Sequence, residues 1–339
     1  MADPDQLQVT LVHGNPDNAT YPLFEEQIFL GPARGGLNLI PFLWKARKWL
    51  RQHVAKFDVV HGLTGFHDTV VPLALAEKLG VPTVLFVAGH REEFSSKPGL
   101  KRLLDLPARR RRMLTALSGL IAMSRAIYME LRGYGVGSDR IARIPMGVNT
   151  TRFQPAESRL SKLELRAELG LPQDAPIVIF VGSIEPNKQP HLLVEAVAAL
   201  KAGGHVCHLL LVGHQRSERY SQHLVQLSED HDLTQLVTML PHTDVIHKYL
   251  RAADVLALPS LSEGMPAAVV EGMASGLPIV GTRISGIEDL IRDGVNGAFV
   301  QPTVASVADA LKAYIRDPEL AKSHGQAGRD LAAARYGAD

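Results

Sequence analysis

The sequence predicts an α/β protein made of two doubly wound domains, each a parallel sheet with helices on both faces. Two observations predict this class. In the second half of the 339-residue chain, short apolar runs alternate regularly with longer helical segments, which is typical of parallel sheets covered by helices. The first half repeats the alternation less regularly, and the chain length suits two domains of roughly 100–200 residues each.

Six segments of the second half are predicted as buried strands, because each is a short apolar run bounded by turn residues such as Gly or Pro. In chain order they are IVIFVG, VCHLLLVG, LVTML, DVLALP, PIVGT and GAFV. Between them, apolar residues recur at helical spacing, as in PHLLVEAVAALKAGG, which ends in glycines. This half is therefore predicted to form a parallel sheet flanked by helices.

The first half contains five further strand candidates and one clear helix. The strands are LQVTLVHG, DVVHG, TVLFVAGH, GLIAMS and RIARIP, and the helix is TVVPLALAEKLGVP. A polar segment with prolines joins the halves, and we place a hinge there, between about Thr150 and Ala175. The predicted domains are residues 1–150 and 151–339, and we expect them to face each other across a cleft.

Composition favours a globular protein without an obvious macromolecular partner. Hydrophobic residues make up 46% of the chain, charged residues 21%, and the formal net charge is +1. No apolar stretch approaches the roughly 20 residues that span a bilayer, and the N-terminus MADPDQLQVT lacks a signal-peptide core. The single cysteine, Cys207, fits a reducing compartment. We therefore expect a cytoplasmic protein.

Two glutamates lie on either side of a Gly-Met-Pro turn in LPSLSEGMPAAVVEGMASGLPIVGT. Glu263 follows a predicted strand and Glu271 lies inside the next helix, where ligands of open α/β sheets bind. Carboxylates accept several hydroxyl donors, and backbone amides of the turn attract hydroxyl or phosphate oxygens. Compensation of the helix dipole explains Glu271 but not Glu263. The turn and helix start consist of Gly264, Met265, Pro266 and Ala267.

A second candidate for ligand binding is VGSIEPNKQP, Val181 to Pro190. A strand is predicted to end at Gly182 and a helix to begin near Gln189, so the backbone amides of the turn and the ammonium of Lys188 attract an anion. A solvated lysine on a connecting loop is the alternative. No G-x-G-x-x-G follows a strand and the sequence has no P-loop, which argues against dinucleotide binding and NTP hydrolysis.

These segments resemble the family-4 (group 1) retaining glycosyltransferases. VGSIEPNK, LLLVG, AADVLALPSLSEGMPAAVVEGMASGLPIVGT and GIEDLIRDGVNGAFVQP follow the order of that family's C-terminal domain, with Glu263 and Glu271 as its E-x7-E pair. FDVVHGLTG, GVPTVLFVAGH, LSGLIAMSRAI and RIARIPMGVNTTRF match its N-terminal half. The resemblance implies the GT-B fold and retaining transfer of a sugar from a nucleotide-sugar donor to a glycan, lipid-linked or small-molecule acceptor.

Matching positions imply a role for each candidate residue. Glu263 would lie against the donor sugar, Glu271 would bind the ribose and Lys188 would hold the diphosphate. His90, at the end of VLFVAGH, would face the sugar from the first domain, with a loop histidine that caps a strand end as the alternative. The N-terminal domain would bind the acceptor and the C-terminal domain the nucleotide sugar.

The mechanism that the resemblance implies is electrostatic. Lys188 and helix N-terminal amides would stabilise the negative charge that develops on the leaving diphosphate, and the leaving phosphate would accept the acceptor's proton. No metal and no other cofactor is expected, and the histidine and cysteine spacings agree, since HVCH does not place its side chains on one face of a strand. Gly182 and Ser183 would line the donor site.

Some positions depart from the family pattern. Ser183 stands where the family usually has an arginine that clamps the diphosphate, and Met146 replaces an asparagine. Compared with the family, we expect a chain shortened at both ends, without the first strand and its Gly-rich loop. These departures keep open a catalytically impaired sugar-nucleotide-binding protein. Another GT-B enzyme, such as a sugar-nucleotide epimerase or a phosphorylase, is a further alternative.

Two basic segments remain. FLWKARKWLRQHVAKF places Trp44 and Trp49 among cations, and PARRRRML contains Arg109 to Arg112. Either segment suits peripheral contact with an anionic membrane, at the inner face for a cytoplasmic protein, and a solvated helix face is the alternative. Nucleic-acid binding is not expected, because neither stacking modules nor a general basic excess accompanies the arginines.

Overall fold

The structure is a computed structural model that describes residues 8–13, 26–32, 38–89 and 107–338. The chain forms two compact units. Unit 1 comprises Met1–Ala122 and Ile127–Ile144, and unit 2 comprises Met123–Ala126 and Pro145–Asp339. The predicted boundary after residue 150 lies a few residues beyond this division. None of the helices in the described ranges is long and apolar enough to cross a bilayer.

Unit 1 carries parallel strands in two sheets. Its described strands are β1 (Thr10–His13), β2 (Glu26–Phe29), β3 (Val60–Gly62), β4 (Thr83–Val87), β5 (Gly119–Ala122) and β6 (Ile141–Arg143). β1 pairs with β2, and the other four form a sheet in the order β3-β4-β5-β6. All five predicted strands of this half are confirmed, whereas β2 was not predicted.

Four α-helices are described around unit 1. They are α1 (Leu39–His53), α2 (His67–Lys78), α3 (Pro107–Leu114) and α4 (Arg125–Gly133), whose first residues belong to unit 2. α1 buries Phe42, Ala46 and Leu50, which recur every four residues and therefore lie on one face of the helix. That face fixes α1 to the unit.

Unit 2 is a parallel sheet of six strands in the order β12-β11-β10-β7-β8-β9. The strands are β7 (Ile177–Val181), β8 (His208–Val212), β9 (Val237–Leu240), β10 (Val255–Leu258), β11 (Ile279–Thr282) and β12 (Gly297–Val300). All six correspond to predicted strands. Their residues are almost continuously buried because helices cover both faces of such a sheet.

Seven helices connect and flank the strands of unit 2 in the described residues. They are α5 (Arg159–Glu168), α6 (Pro190–Ala202), α7 (Glu218–Asp230), α8 (Ile246–Ala252), α9 (Ala267–Ala274), α10 (Val304–Arg316) and α11 (Pro318–Tyr336). Side-chain caps start several of them. Ser158, for example, caps α5 in a reciprocal capping box with Ser161.

The strand order of unit 2 reverses direction at β7. From β7 the chain proceeds outward through β8 to β9, then returns to the other side of β7 and continues through β10 and β11 to β12. The loops that follow β7 and β10 therefore leave the same edge of the sheet side by side. In doubly wound folds ligands bind at this reversal of strand order.

A partly buried ionic cluster anchors α5 to the sheet. Asp254, just before β10, accepts hydrogen bonds from Lys162 Nζ and Arg166 Nη2, each at 2.6 Å, and from the Ile177 amide at 2.7 Å. Burial acts to raise the pKa of the Asp254 carboxyl, but the charges of Lys162 and Arg166 and these hydrogen bonds hold it below its usual range. The segment predicted to contain the hinge thus holds a helix fixed to unit 2.

Candidate active site

An ammonium and a carboxylate meet at the reversal of strand order in unit 2. Lys188, in the loop after β7, lies 2.8 Å from Glu263, in the loop after β10, measured between Nζ and Oε2. The side chains are only 18% and 10% exposed, respectively. A largely buried pair is weakly screened by water, so a ligand that reaches it meets strong local charges.

The Glu263 carboxylate is held at both oxygens. While Oε2 faces Lys188, Oε1 accepts a hydrogen bond from the Ser260 hydroxyl at 2.7 Å. Ser260 is fully buried at the end of β10, and its carbonyl accepts a hydrogen bond from the Thr282 hydroxyl at the end of β11. Two neighbouring strand ends therefore position one carboxylate.

The Lys188 side chain is positioned by a tight turn. Pro186–Lys188 form a single 3-10 turn, and α6 begins two residues after Lys188. Between them, Gln189 adopts a left-handed backbone conformation with φ of 50°, which costs a non-glycine residue about 1 kcal/mol or more. The turn thereby places Lys188 next to the N-terminus of a helix, where anions are favoured.

Main-chain contacts join the two loops directly. The Leu261 amide donates to the Asn187 carbonyl at 2.9 Å. The Asn187 side-chain amide also reaches the Ser262 carbonyl, at 3.5 Å. Residues adjacent to Lys188 and Glu263 are thus fixed to each other independently of the ion pair.

The turn after Glu263 is closely packed and ends in the N-terminus of α9. Gly286 has φ of +83°, and a Cβ there would lie 2.3 Å from the Gly264 carbonyl oxygen, so only glycine fits against this turn. Met265 is buried, and its sulfur accepts a hydrogen bond from the Met146 amide at 3.3 Å. Pro266 is the N-cap of α9, and the first-turn amides beyond it have no carbonyl four residues earlier in the helix to bond.

The loop that begins at Gly182 runs against the loop after β8. The Gly182 amide donates to the Val212 carbonyl at 3.0 Å, and the Ile184 amide donates to the His214 carbonyl at 2.9 Å. A Cβ on Gly213 would lie 1.8 Å from the Gly182 carbonyl oxygen, so glycine is required for this approach. Ser183, between these contacts, is half-buried.

Glu271 lies in the second turn of α9 and is half-buried. Burial raises the pKa of its carboxyl, while the positive charge of Arg152 acts in the opposite direction. Arg152 itself donates hydrogen bonds to the Asp244 carbonyl and to His247 Nδ1. A carboxyl whose pKa is shifted by burial and by the charge of another residue is typical of functional sites and of structural ion pairs.

The structure brings most of the predicted site residues into one region of unit 2. Lys188 and Glu263 are in direct contact. Glu271 lies on the helix that the turn introduces, and Gly182 and Ser183 begin the loop that carries Lys188. His90 lies outside the described residues, and its role stays a prediction.

Sequence reasoning missed three residues of this site: Ser260, Thr282 and Gly286. The Ser-x-x-Glu spacing of Ser260 and Glu263 directly after a strand is a signal that could have found the first of them. The other two contact the site from a different strand and loop, so local spacing carries no signal for them. Within the described ranges, no group of three or more His, Cys, Asp or Glu side chains is arranged to hold a metal ion.

These residues form a site with two complementary parts. The Lys188 ammonium, with the helix N-termini beside it, favours an anion such as a phosphate. The Glu263 carboxylate favours hydrogen-bond donors such as hydroxyl groups. A ligand with a phosphate next to a polyhydroxylated group would engage both parts at once.

Known protein families match almost the whole chain. A family model described as Glycosyl transferases group 1 matches residues 161–331, and one described as Glycosyltransferase Family 4 matches residues 5–152. D-inositol 3-phosphate glycosyltransferase of Nocardia farcinica is 35% identical over 199 residues, covering 57% of this chain and 43% of the relative. The protein of that name from Streptomyces scabiei is 31% identical over 309 residues, covering 82% and 65%. The chain thus spans less than two thirds of the length of these relatives.

Solved structures match over more of their length. Anabaena Alr3699/HepE in complex with UDP and glucose has a TM-score of 0.73 at 21% identity, covering 92% of this chain and 82% of that chain. Sucrose-phosphate synthase from Thermosynechococcus elongatus has a TM-score of 0.78 at 22% identity, covering 97% and 85%. At such identities the similarity shows the fold, which is GT-B with two Rossmann-like domains.

Proposed function

The chain belongs to the group 1 glycosyltransferases, and from that membership we propose that it transfers a sugar from a nucleotide-sugar donor to an acceptor with retention at the anomeric carbon. The single observation that carries the proposal is the Lys188–Glu263 contact at the reversal of strand order. It joins a cation of the kind that attracts a diphosphate to a carboxylate that can accept hydroxyl donors, at the place where doubly wound folds bind ligands.

The proposed reaction begins when the donor separates the Lys188–Glu263 ion pair. When the donor binds, its diphosphate becomes the partner of Lys188, and Glu263 is left to accept hydrogen bonds from the sugar hydroxyls. Ser260 keeps the carboxylate in place during this exchange, because its hydrogen bond to Oε1 does not involve Lys188. Lys188 thus binds the phosphate side of the scissile sugar–phosphate bond, and Glu263 binds the sugar side.

Charge development explains how this arrangement accelerates transfer. Breaking the sugar–phosphate bond leaves negative charge on the diphosphate and positive character on the sugar. Lys188 and the amides at the starts of α6 and α9 stabilise the former, an effect often worth several kcal/mol. Because Lys188 and these amides stabilise the leaving group, the proposed reaction needs no metal. The leaving phosphate takes the acceptor's proton, so the reaction needs no separate base.

Similar proteins suggest which substrates to test. The HepE structure is a complex with UDP and glucose, which favours a UDP-sugar as donor. The curated relatives are named for D-inositol 3-phosphate, so a phosphorylated polyol joins glycans and lipid-linked sugars as a candidate acceptor. We assign donor binding to unit 2 and acceptor binding to unit 1, and a cytoplasmic location suits the single cysteine, Cys207.

The proposal is tested by donor binding followed by transfer. UDP-, GDP- and ADP-sugars are screened by thermal shift, and the donor that stabilises the protein is incubated with the acceptors in parallel reactions that contain EDTA, a divalent cation or free phosphate. We expect stabilisation by one nucleotide series and a product whose anomeric configuration, read by NMR, equals that of the donor. Inversion, or a requirement for free phosphate or metal, would contradict the proposed reaction.

Ser183 supports a second candidate function, binding without turnover. Its neutral side chain stands where the resemblance places an arginine, and a diphosphate loses a bidentate contact there. Under this alternative the donor stabilises the protein but neither transfer nor donor hydrolysis is detected. The same two assays therefore separate the two functions.

Glu271→Gln is expected to weaken nucleotide binding by about 10-fold or more, because a neutral amide replaces a charged acceptor for the ribose hydroxyls. Since burial raises the pKa of Glu271, wild-type affinity should fall as the pH drops through that raised pKa. The variant should lose this part of the pH dependence. Isothermal titration of the nucleotide across the acidic range measures both effects.

Although Glu271→Gln should weaken nucleotide binding, it should not lower the free energy of unfolding of the unliganded protein. A carboxyl whose pKa is higher in the folded than in the unfolded protein opposes folding once the pH exceeds its unfolded value of about 4.3, so Gln should not lower stability at neutral pH. Glu229→Gln, an exposed glutamate on α7, serves as the control. Unchanged nucleotide affinity in Glu271→Gln would remove Glu271 from the site.

Glu263→Ala, in contrast, should lower turnover strongly.

A further inference from the structure

We propose that the outer face of α1 in unit 1 docks onto an anionic lipid surface. The outer face consists of Ile40, Trp44, Arg47, Lys48 and Arg51. These residues recur at spacings of four, three, one and three, which places them along one side of a helix. The inference concerns a surface that the proposed reaction does not use.

The outer face is exposed because α1 is fixed to unit 1 by its opposite side. Phe42 and Ala46 are buried there with Leu30 and Leu43 packed against them, and Leu50 belongs to a second buried cluster. The helix is thus a rigid support about 22 Å long. Its orientation on unit 1 leaves the outer face turned away from the core.

Two large apolar side chains occupy the N-terminal half of this face. Ile40 is 75% exposed and Trp44 is 64% exposed. Lys48 Nζ lies 5.8 Å from the centroid of the Trp44 ring, close enough for a cation–π contact. A solvated face of charged residues would account for the cations of α1, but it does not account for these two side chains.

The charge of α1 selects the kind of partner. Its 15 residues contain no aspartate or glutamate, while Lys45, Arg47, Lys48 and Arg51 are all basic. Exposed cations around a tryptophan and an aliphatic side chain match a surface with anionic headgroups above an apolar layer. The long arginine and lysine side chains can reach the headgroups while Ile40 and Trp44 enter the boundary. We therefore commit to a lipid partner rather than an acidic protein or a nucleic acid.

Trp44 itself provides the measurement. The chain has two tryptophans, Trp44 and Trp49, so the Trp49→Phe variant makes Trp44 the only indole emitter. This variant of the 339-residue chain is mixed at low salt with vesicles of phosphatidylcholine alone or with phosphatidylglycerol added. We expect co-sedimentation with the anionic vesicles only, a blue shift of Trp44 emission on binding, and release by added salt.

Two sets of variants assign the binding to this face. Replacing Arg47, Lys48 and Arg51 with Gln should weaken vesicle binding about 100-fold, since each cation near an anionic surface contributes about a factor of several. Trp44→Ser should weaken vesicle binding by about 10-fold.

Each set has a matched control in unit 2. The charge control replaces Lys201, Arg216 and Arg219 with Gln. The control for lost apolar surface is Leu160→Ser, which changes a side chain that is 66% exposed.

Several outcomes would overturn the proposal. These are equal binding to neutral and anionic vesicles, binding without any change in Trp44 emission, or an equal loss of binding in the unit 2 control. Binding to single-stranded RNA with displacement from vesicles by that RNA would assign the face to nucleic acid instead. Circular dichroism of each variant checks that the protein keeps its secondary structure.

Discussion

Replacing Lys188 with Met should lower the turnover number for sugar transfer by about 10²–10³-fold, the usual cost of removing one group that stabilises developing charge. Methionine keeps most of the side-chain length and removes the ammonium, which lies 2.8 Å from Glu263 without donor and is proposed to pair with the diphosphate. The loss should appear in kcat at saturating donor, because the negative charge is larger in the transition state than in the bound donor.

A lysine on the following helix provides the matched control for Lys188→Met. Lys201, in the last turn of α6, donates to the Asp232 carbonyl at 2.8 Å away from the site, so Lys201→Met should leave turnover unchanged. Lys188→Met also leaves the largely buried Glu263 without its cation, and thermal unfolding must show that the variant is folded. A folded Lys188→Met protein with nearly wild-type turnover would remove Lys188 from the mechanism.

Asp254→Asn should destabilise unit 2 by about 3 kcal/mol or more, because it leaves the buried guanidinium of Arg166 without an anion. Arg166 is 5% exposed and its remaining hydrogen bonds go to main-chain carbonyls, including that of Ala252 at 2.9 Å. The contact with Lys162 and the position of α5 on the sheet depend on the same carboxylate. Denaturant unfolding, followed by hydrogen exchange of the strands of unit 2, measures the loss.

The acid dependence of the Asp254 effect has a definite sign. Its pKa is lower in the folded protein than in the unfolded chain, so its contribution is complete above the unfolded value of about 3.9 and is lost as the pH falls through the lower, folded pKa. Wild type and Asp254→Asn should therefore converge only below about pH 4. Glu168→Gln, which breaks the exposed pair between Glu168 of α5 and Lys248 of α8, should cost at most about 1 kcal/mol. Equal effects of the two substitutions would contradict a special role for the partly buried cluster of Asp254, Lys162 and Arg166.

Most of the fold could be predicted because its strands carry a strong local signal. Those of unit 2 are continuous apolar runs bounded by turn residues, and each was predicted near its observed position. β2 was missed because Glu26–Phe29 begins with two polar residues and is partly exposed, so it is not a continuous apolar run. α5 lies in the segment that was interpreted as a polar junction. The contact that anchors this helix joins Lys162 to Asp254, which is 92 residues away in the chain, so the local sequence does not show it.

The site was predictable only in part for a related reason. Lys188 and Glu263 could be singled out one at a time because each follows a strand and precedes a helix. Their contact, however, depends on the order of strands in the sheet, in which β7 and β10 are neighbours although two strands lie between them in the chain. The support from Thr282 and Gly286 depends on the same long-range arrangement, which short motifs do not encode.

The main-chain contact between Leu261 and Asn187 has a consequence for how such a sequence can vary over evolutionary time. Because the donor is an amide and the acceptor a carbonyl, nearly every residue type at these two positions preserves the bond. Genetic drift can therefore replace both side chains while the spacing of their neighbours persists. Proline at position 261 is the exception, since it lacks the N–H.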